Sequence, residues 1–320
     1  MKVLANDGIS QNGQQKLEKA GFEVIVTKVA QEQLKNYINQ HNIDVILVRS
    51  ATQVRKDLID SCPSLKIIGR AGVGMDNIDV EYARKKGLSV INTPAASSSS
   101  VAELVFAHLF GGVRYLHDSN RNMPLSGDSE FKSLKKNYAG GVELRGKTLG
   151  IIGLGRIGRE VAKIALGIGM KVLASDDHVG ETDIELEFYN NQVVTVPIKT
   201  EPVENIIQDA DFITLHVPAQ KKPLIGKKEF AKMKHGVGII NTSRGGVIDE
   251  AALLEALEDG KVAFAGLDVY ENEPSPAVRL LMNERISLTP HIGAATNEAQ
   301  DRIGVELADQ IINILKKEKA

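Results

Sequence analysis

The chain has 320 residues, of which 42% are hydrophobic and 25% charged, ordinary globular usage that excludes a disordered or fibrous protein. At about 150 residues per domain the length asks for two domains. Its 39 basic and 41 acidic side chains leave a formal charge of −2, so no large positive field exists to hold nucleic acid.

The first residues, Met1-Lys2-Val3-Leu4-Ala5-Asn6-Asp7, break their apolar run too early for a signal-peptide core. No later stretch approaches the roughly 20 apolar residues of a membrane span. A soluble, cytoplasmic protein without membrane contact is expected. The single cysteine, Cys62, excludes an internal disulfide and a cysteine-based zinc site, and with no His nearby in sequence it reads as a buried inert thiol. No metal site is expected.

In chain order, Lys2–Ala5, Phe22–Thr27, Asp44–Arg49 and Leu65–Arg70 read as strands separated by helical patterns. Strands alternating with helices at this spacing favour a parallel sheet covered on both faces. Leu88–Asn92 is a further strand, closed by Thr93-Pro94. The run Ser97-Ser98-Ser99-Ser100, with Glu103 three residues after Ser100, reads as a helix start capped by Ser100. That helix is predicted to reach about Leu116, apolar on most sides and therefore buried or at an interface. Residues 122–141, bearing Gly, Asn and Ser, read as a looser connection.

A second series begins at Thr148, with strands at Thr148–Ile152, Lys171–Ser175, Asp211–Val217, Val237–Asn241, Val262–Leu267 and Ile286–Thr289. Between its second and third strands, Ile184-Glu185-Leu186-Glu187-Phe188 alternates apolar with acidic, Tyr189-Asn190-Asn191-Gln192 reads as a turn, and Val193–Ile198 is strand-like. A surface β-hairpin is expected there. The last helix, from about Asn297, places Ile303, Leu307, Ile311 and Leu315 on one face, and ends in Lys316-Lys317, which suits the negative end of the helix dipole.

Gly153-Leu154-Gly155-Arg156-Ile157-Gly158 has GxGxxG spacing, follows the strand Thr148–Ile152 directly and opens a helical pattern. In that context the motif has a mechanism. Gly153 permits the tight turn, Gly155 lets the backbone approach a pyrophosphate, Gly158 lets helix and strand pack, and the phosphates meet the helix N-terminus. Asp176 ends the next strand, 18 residues after Gly158. A carboxylate there accepts from the hydroxyls of an unphosphorylated ribose and repels a 2′-phosphate, which favours NAD over NADP. Asp177 adjoins it, and the spacing leaves open which of the two faces the ribose.

A dinucleotide fold needs other loops to define the chemistry. Arg244 follows a strand directly and is flanked by glycines, at the edge where ligands bind. One carboxylate of Tyr270-Glu271-Asn272-Glu273-Pro274 follows the strand Val262–Leu267. His291 lies between a strand end and a helix start. Reduction of a 2-oxo acid needs a cation for the carboxylate and carbonyl, a hydride donor and a proton donor that titrates near neutrality. Arg, NADH and His supply these. A carboxylate on the far imidazole nitrogen fixes the tautomer.

The sequence resembles the D-isomer-specific 2-hydroxyacid dehydrogenase family across nearly its whole length. The likeness is carried by Val48-Arg49-Ser50-Ala51-Thr52, the segment 69–79, Asn92-Thr93-Pro94, Val101-Ala102-Glu103-Leu104, the Gly153 fingerprint and the blocks around Arg244, Glu273 and His291. The resemblance implies an α/β architecture of two doubly wound parallel-sheet domains. A Rossmann NAD domain, 99–289, is inserted into a flavodoxin-like substrate domain, 1–98 with 290–320, and the active site lies in the cleft between them. It implies His291 as acid/base, Glu273 as its orienting partner and Arg244 as the substrate-carboxylate binder. It adds Val73, Arg156, Ile157, Val217, Thr242, Ser243, Asp268, Gly293 and Ala294 as NAD contacts beside Gly153, Gly155, Gly158 and Asp176.

The expected reaction is oxidation of 3-phospho-D-glycerate by NAD, with Arg49 and Arg70 gripping the phosphate through charge-assisted contacts and Ser50 and Gly72 completing the substrate site. Homodimers or homotetramers joined through the NAD domain are implied. The chain stops directly after its terminal helix, so feedback through an appended C-terminal regulatory domain is not expected. Two other readings compete: a hydroxypyruvate or glyoxylate reductase acting on unphosphorylated acids, and a non-catalytic NAD-sensing scaffold, which steady-state turnover would exclude.

Overall fold

The structure, a computed structural model, describes residues 1–317. The chain divides into two compact units, Met1–Ser98 with the C-terminal segment from Ala294, and Ser99–Gly293. The return crossing thus falls between 293 and 294, against 289/290 from the sequence. Residues 318–320 of the last segment lie outside the described residues.

The first unit contains β1 (Lys2–Ala5), α1 (Gln11–Lys19), β2 (Glu23–Ile25), α2 (Gln31–His41), β3 (Val45–Val48), α3 (Lys56–Ser61), β4 (Ile67–Arg70), α4 (Val80–Lys85) and β5 (Ser89–Asn92), with the terminal helix Asn297–Lys317. Its five strands are all parallel, in the order β2-β1-β3-β4-β5, the flavodoxin-like order. Alternate residues go to opposite faces. Leu4, Ile46 and Ile68 join one buried cluster, while Val3, Val45, Leu47 and Ile67 join another with Ile303, Leu307, Ile311 and Leu315 of the terminal helix. The predicted helix face is therefore the buried one, each large side chain contributing roughly 1.5–3 kcal/mol.

The second unit opens with α5 (Ser98–Val113), α6 (Leu116–Ser126) and α7 (Phe131–Asn137). It continues through β6 (Thr148–Ile152), α8 (Arg156–Gly167), β7 (Lys171–Ser175), β8 (Glu181–Glu187), β9 (Val193–Lys199), α9 (Val203–Asp209) and β10 (Phe212–Leu215). It closes with α10 (Lys227–Lys232), β11 (Val237–Asn241), α11 (Glu250–Glu258), β12 (Val262–Leu267), α12 (Val278–Leu281) and β13 (Ile286–Leu288), before α13 (Asn297–Lys317) returns to the first unit. Six parallel strands run in the order β13-β12-β11-β10-β6-β7. Chain direction across the sheet reverses between β6 and β10, the switch point at which such sheets bind ligands. A complete Rossmann half would add a third strand outside β7. Here β8 and β9 form a separate antiparallel hairpin, and a parallel bridge, Ala174 to Thr200, marks that place.

Three expectations are corrected. Residues 122–141 are not loose: α6 covers their start and α7 their centre. Neither helix buries any residue, so neither carries the apolar period by which a helix is read. Ser100 is not the cap of α5, which already begins at Ser98; its hydroxyl donates to the Gly293 carbonyl at 2.7 Å. That helix stops at Val113, short of Leu116, where Tyr115 turns into the left-handed region at φ 54°.

Candidate active site

At the switch point the glycine motif is shaped by contact. Gly153 has φ +100°, and a Cβ there would lie 2.5 Å from the His216 carbonyl oxygen beyond β10. A Cβ on Gly158 would lie 2.1 Å from the Gly153 carbonyl. Gly155 differs, since nothing among the described residues stands within 4 Å of where its Cβ would be. The space a pyrophosphate needs at the start of α8 is open, with Arg156 and Ile157 in the first turn.

Asp176, at the end of β7, is the carboxylate turned toward this loop. Its Oδ2 accepts from the Leu154 N–H at 2.7 Å, and its Oδ1 accepts from His178 and Val179 N–H at 2.8 and 3.1 Å. Beyond β10 and β11 two buried polar atoms, His216 Nδ1 and Thr242 Oγ1, have no hydrogen-bond partner among the described residues. The register Leu215 to Asn241 makes their residues next-door neighbours. Burial pushes the His216 imidazole down to about 3. Buried polar groups are seldom left unmatched in a native fold, so the pair, with the open ground at Gly155, fits a polar ligand laid along this edge. Val217 follows His216 at the same edge.

The chemistry-bearing loops follow β11, β12 and β13, three neighbouring strands. After β11, Asn241 organises the turn: its Oδ1 accepts from the Ser243 N–H and hydroxyl at 3.0 and 2.8 Å, and its Nδ2 donates to the Arg244 carbonyl at 2.9 Å. The Arg244 guanidinium donates to the Ser243 carbonyl at 2.7 Å. A Cβ on Gly245 would lie 1.8 Å from the Tyr270 carbonyl oxygen, so the glycine lets this loop press against the one after β12.

His291 and Glu273 are brought together. The ring Nδ1 donates to Glu273 Oε2 at 2.8 Å, while Glu273 Oε1 accepts from the Tyr270 N–H at 3.1 Å. Glu271, the other carboxylate of that segment, instead exchanges hydrogen bonds with Glu250. Donation from Nδ1 leaves His291 Nε2 as the proton-accepting atom of a half-exposed ring.

His291 has φ 54°, unusual for a side chain with a Cβ. Asp268, 1% exposed at the end of β12, holds that turn. Its Oδ1 accepts from the Ile292 N–H and the Thr289 hydroxyl at 2.8 and 2.6 Å, and its Oδ2 from the Gly293 N–H at 2.8 Å. Burial pushes the Asp268 carboxyl up, against these three donors. The Tyr270 hydroxyl adds a bond to the Thr289 carbonyl at 2.9 Å. Asp268, predicted as a cofactor contact, thus ties the end of β12 to the turn after β13. Asn241, Tyr270 and His216 escaped the sequence reading; only the clustering of polar residues at strand ends could have signalled them.

The remaining predicted residues belong to the first unit. Arg70 ends β4 and pairs in register with Val48, the residue before Arg49. The Arg49 backbone N–H donates to Asp7 at 2.7 Å, burial lowers its guanidinium pKa, and its Nε is buried with no partner among the described residues. A pocket of about 440 Å³ at the ends of β1, β2 and β3 is lined by Asp7, Lys28, Arg49 and Ser50. Gly72 has φ +139°, a backbone that disfavours a Cβ, and the Arg70 guanidinium crosses it 1.6 Å from where that Cβ would lie. Val73 is 38% exposed in the loop that follows, and Ala294 opens the return segment.

Residues 106–293 match the sequence profile of the D-isomer-specific 2-hydroxyacid dehydrogenase NAD-binding domain. The chain is 43% identical over 320 residues to a hydroxypyruvate reductase of Thermotoga maritima, covering 98% of both chains. The chain belongs to the D-isomer-specific 2-hydroxyacid dehydrogenases. As a member of that family it is an NAD-dependent oxidoreductase acting on a small D-2-hydroxy acid. It is also 42% identical to a D-3-phosphoglycerate dehydrogenase of Archaeoglobus fulgidus, over 99% of this chain but 58% of that relative's length. The NAD+-bound 3-phosphoglycerate dehydrogenase of Entamoeba histolytica superposes with a TM-score of 0.76 at 30% identity, covering 99% of this chain and 95% of that one. No helix among the described residues of this dehydrogenase is long and apolar enough to cross a membrane, and no described cluster of His, Cys, Asp or Glu could hold a metal ion.

Proposed function

We propose that this dehydrogenase oxidises 3-phospho-D-glycerate to 3-phosphohydroxypyruvate, the entry step of serine synthesis in the cytoplasm. The observation that carries the chemical half of this reading is the bond from His291 Nδ1 to Glu273. It leaves Nε2 free to take the hydroxyl proton, with the carboxylate stabilising the imidazolium that forms. NAD, when bound, accepts the hydride from C2. Arg244 pairs with the substrate carboxylate, for which a planar guanidinium is suited.

The cofactor would be held by the Gly153, Gly155 and Gly158 backbone and the first turn of α8 at Arg156 and Ile157. Asp176 would meet the adenosine ribose, and Val217, Thr242, Ser243, Gly293, Ala294 and Val73 would complete the site. The buried, unmatched Thr242 hydroxyl supports this. For Asp268 we infer an indirect role, through the turn that carries His291.

Arg49 and Arg70 would hold the phosphate, with Ser50 and Gly72 beside them. Their places at adjoining strand ends and the phosphoglycerate dehydrogenase names among relatives at about 40% identity support the substrate. The test is NADH formation with 3-phosphoglycerate, glycerate and lactate. Phosphoglycerate should be preferred, and Arg70→Ala should weaken phosphoglycerate by about 2 kcal/mol, the scale of a hydrogen bond to a charged group, while leaving glycerate little changed. Equal losses on both substrates would place the phosphate grip elsewhere.

A second reading, reduction of hydroxypyruvate, is favoured by the 43% identity to the Thermotoga maritima hydroxypyruvate reductase over nearly the full length of both chains. The same panel separates the two. We infer a homodimer or homotetramer joined through the second unit, supported by apolar side chains left exposed there at Leu116, Leu125, Phe131 and Met282.

A further inference from the structure

Behind the His291 turn, within the second unit, stands a further histidine on α5. His108 is 2% exposed. Its Nδ1 lies 2.8 Å from the Ser287 hydroxyl and its Nε2 lies 3.1 Å from the Thr289 hydroxyl. Room for the ring is built into β12: a Cβ on Gly266 would lie 2.6 Å from the His108 Cβ.

Counting protons settles the direction of the chain. Asp268 as a carboxylate can only accept, so the one proton of the Thr289 hydroxyl goes to Asp268 Oδ1 at 2.6 Å. The lone pairs of that hydroxyl then face His108 Nε2, which must carry a hydrogen. Nδ1 is left as the acceptor of the Ser287 hydroxyl proton. Burial keeps the ring neutral, pushing it down to about 4, so one tautomer fills every role. An unbroken run of donors therefore points from Ser287 through His108 and Thr289 to Asp268, the carboxylate that receives the Ile292 and Gly293 N–H groups. Bonds in such a run polarise one another.

We propose that His108 is a positioning residue for His291: its Nε2–H turns the Thr289 hydroxyl onto Asp268 and so locks the 291–293 turn that presents the reacting imidazole. The left-handed backbone of His291 has to be imposed by its surroundings, and this chain imposes it. Thr289 left alone could rotate its proton to another acceptor; the imidazole removes that choice. The role in turnover rests on the function proposed above, whereas the lock itself does not.

The test compares His108→Gln, whose side-chain amide can still donate toward Thr289, with His108→Asn, which is too short to do so, and His108→Leu, which cannot donate. Amide exchange at Ile292 and Gly293 should rise about tenfold in the Asn and Leu variants, the weight of one net hydrogen bond. It should stay near wild type in the Gln variant, with core amides such as Ile213 and Ile239 unchanged in all three. In steady state, kcat should fall about tenfold in the Asn and Leu variants and recover in Gln, with KM for NAD within about twofold. Should the Leu variant fail to fold, the Asn and Gln pair gives the same comparison. Exchange unchanged at 292 and 293, raised equally by Gln, or raised across the whole sheet would overturn the lock, and an unchanged kcat in the Asn variant would overturn its role in turnover. If the wild-type protein turns over no 2-hydroxy acid, the proposed function fails, and the exchange comparison still decides the lock.

Discussion

A single proton position governs the chemistry at the smallest scale. Glu273 accepts from His291 Nδ1 and is itself held by the Tyr270 N–H, so the carboxylate cannot swing away without losing a backbone bond. Glu273→Gln keeps the shape and can still meet Nδ1, but removes the negative charge that stabilises the imidazolium. We expect kcat to fall by about 10²-fold for Glu273→Gln and about 10³-fold for His291→Asn, within the usual range for general acid/base catalysis. NADH affinity, followed by fluorescence titration, should stay within about threefold. Loss of cofactor binding in parallel with kcat would mean that the pair supports the fold rather than the proton transfer.

Among the elements, closest approach is set by glycines. α1 and α13 cross where a Cβ on Gly13 would lie 2.5 to 2.8 Å from the Gly304 backbone, and Lys16 pairs with Asp309 beside the crossing at 2.6 Å. This contact ties the C-terminal helix to the N-terminal βα unit. In an exposed helix Gly→Ala would stabilise by roughly 0.5–1 kcal/mol; here the overpacking cost of about 1–3 kcal/mol reverses the sign. Gly13→Ala should therefore lower the urea midpoint, and a raised midpoint would show that the helices can separate at no cost. The hairpin β8–β9 was legible because Ile184, Leu186 and Phe188 alternate with Glu185 and Glu187; Ile184 is buried, and the strand itself begins three residues earlier, at Glu181. Helices α6 and α7 were not, since surface helices with no buried side leave no hydrophobic period to read.

For the molecule entire, buried histidines couple stability to pH. His108 is pushed down to about 4, against roughly 6.5 in an unfolded chain. Between those values the unfolded chain binds the extra proton and the native one does not, so stability is full above about pH 6.5 and falls as pH drops toward 4. The loss from this group is about 3 kcal/mol at most. His216, held to about 3, acts in the same direction. Urea denaturation from pH 7 to 4 should show this decline, and His108→Gln should flatten it. An identical slope in that variant would mean that His108 is not neutral in the native protein.

Periodicity and motif alone determined two βα series, the glycine loop at the end of a strand, and a buried face on the terminal helix, because each is a local pattern that a few successive residues write in full. The Arg244, Glu273 and His291 loops were found the same way, from polar residues at strand ends. What held those loops was decided only in three dimensions. That Asp268 clamps the turn after β13, and that His108 reaches that turn from a helix nearly 180 residues earlier, as the 179-residue separation of His108 and Ser287 records, depend on strand order. A parallel sheet sets side by side loops that lie far apart along the chain. A hydrogen bond, being short and directional, exists only once that order has brought its donor and acceptor within about 3 Å.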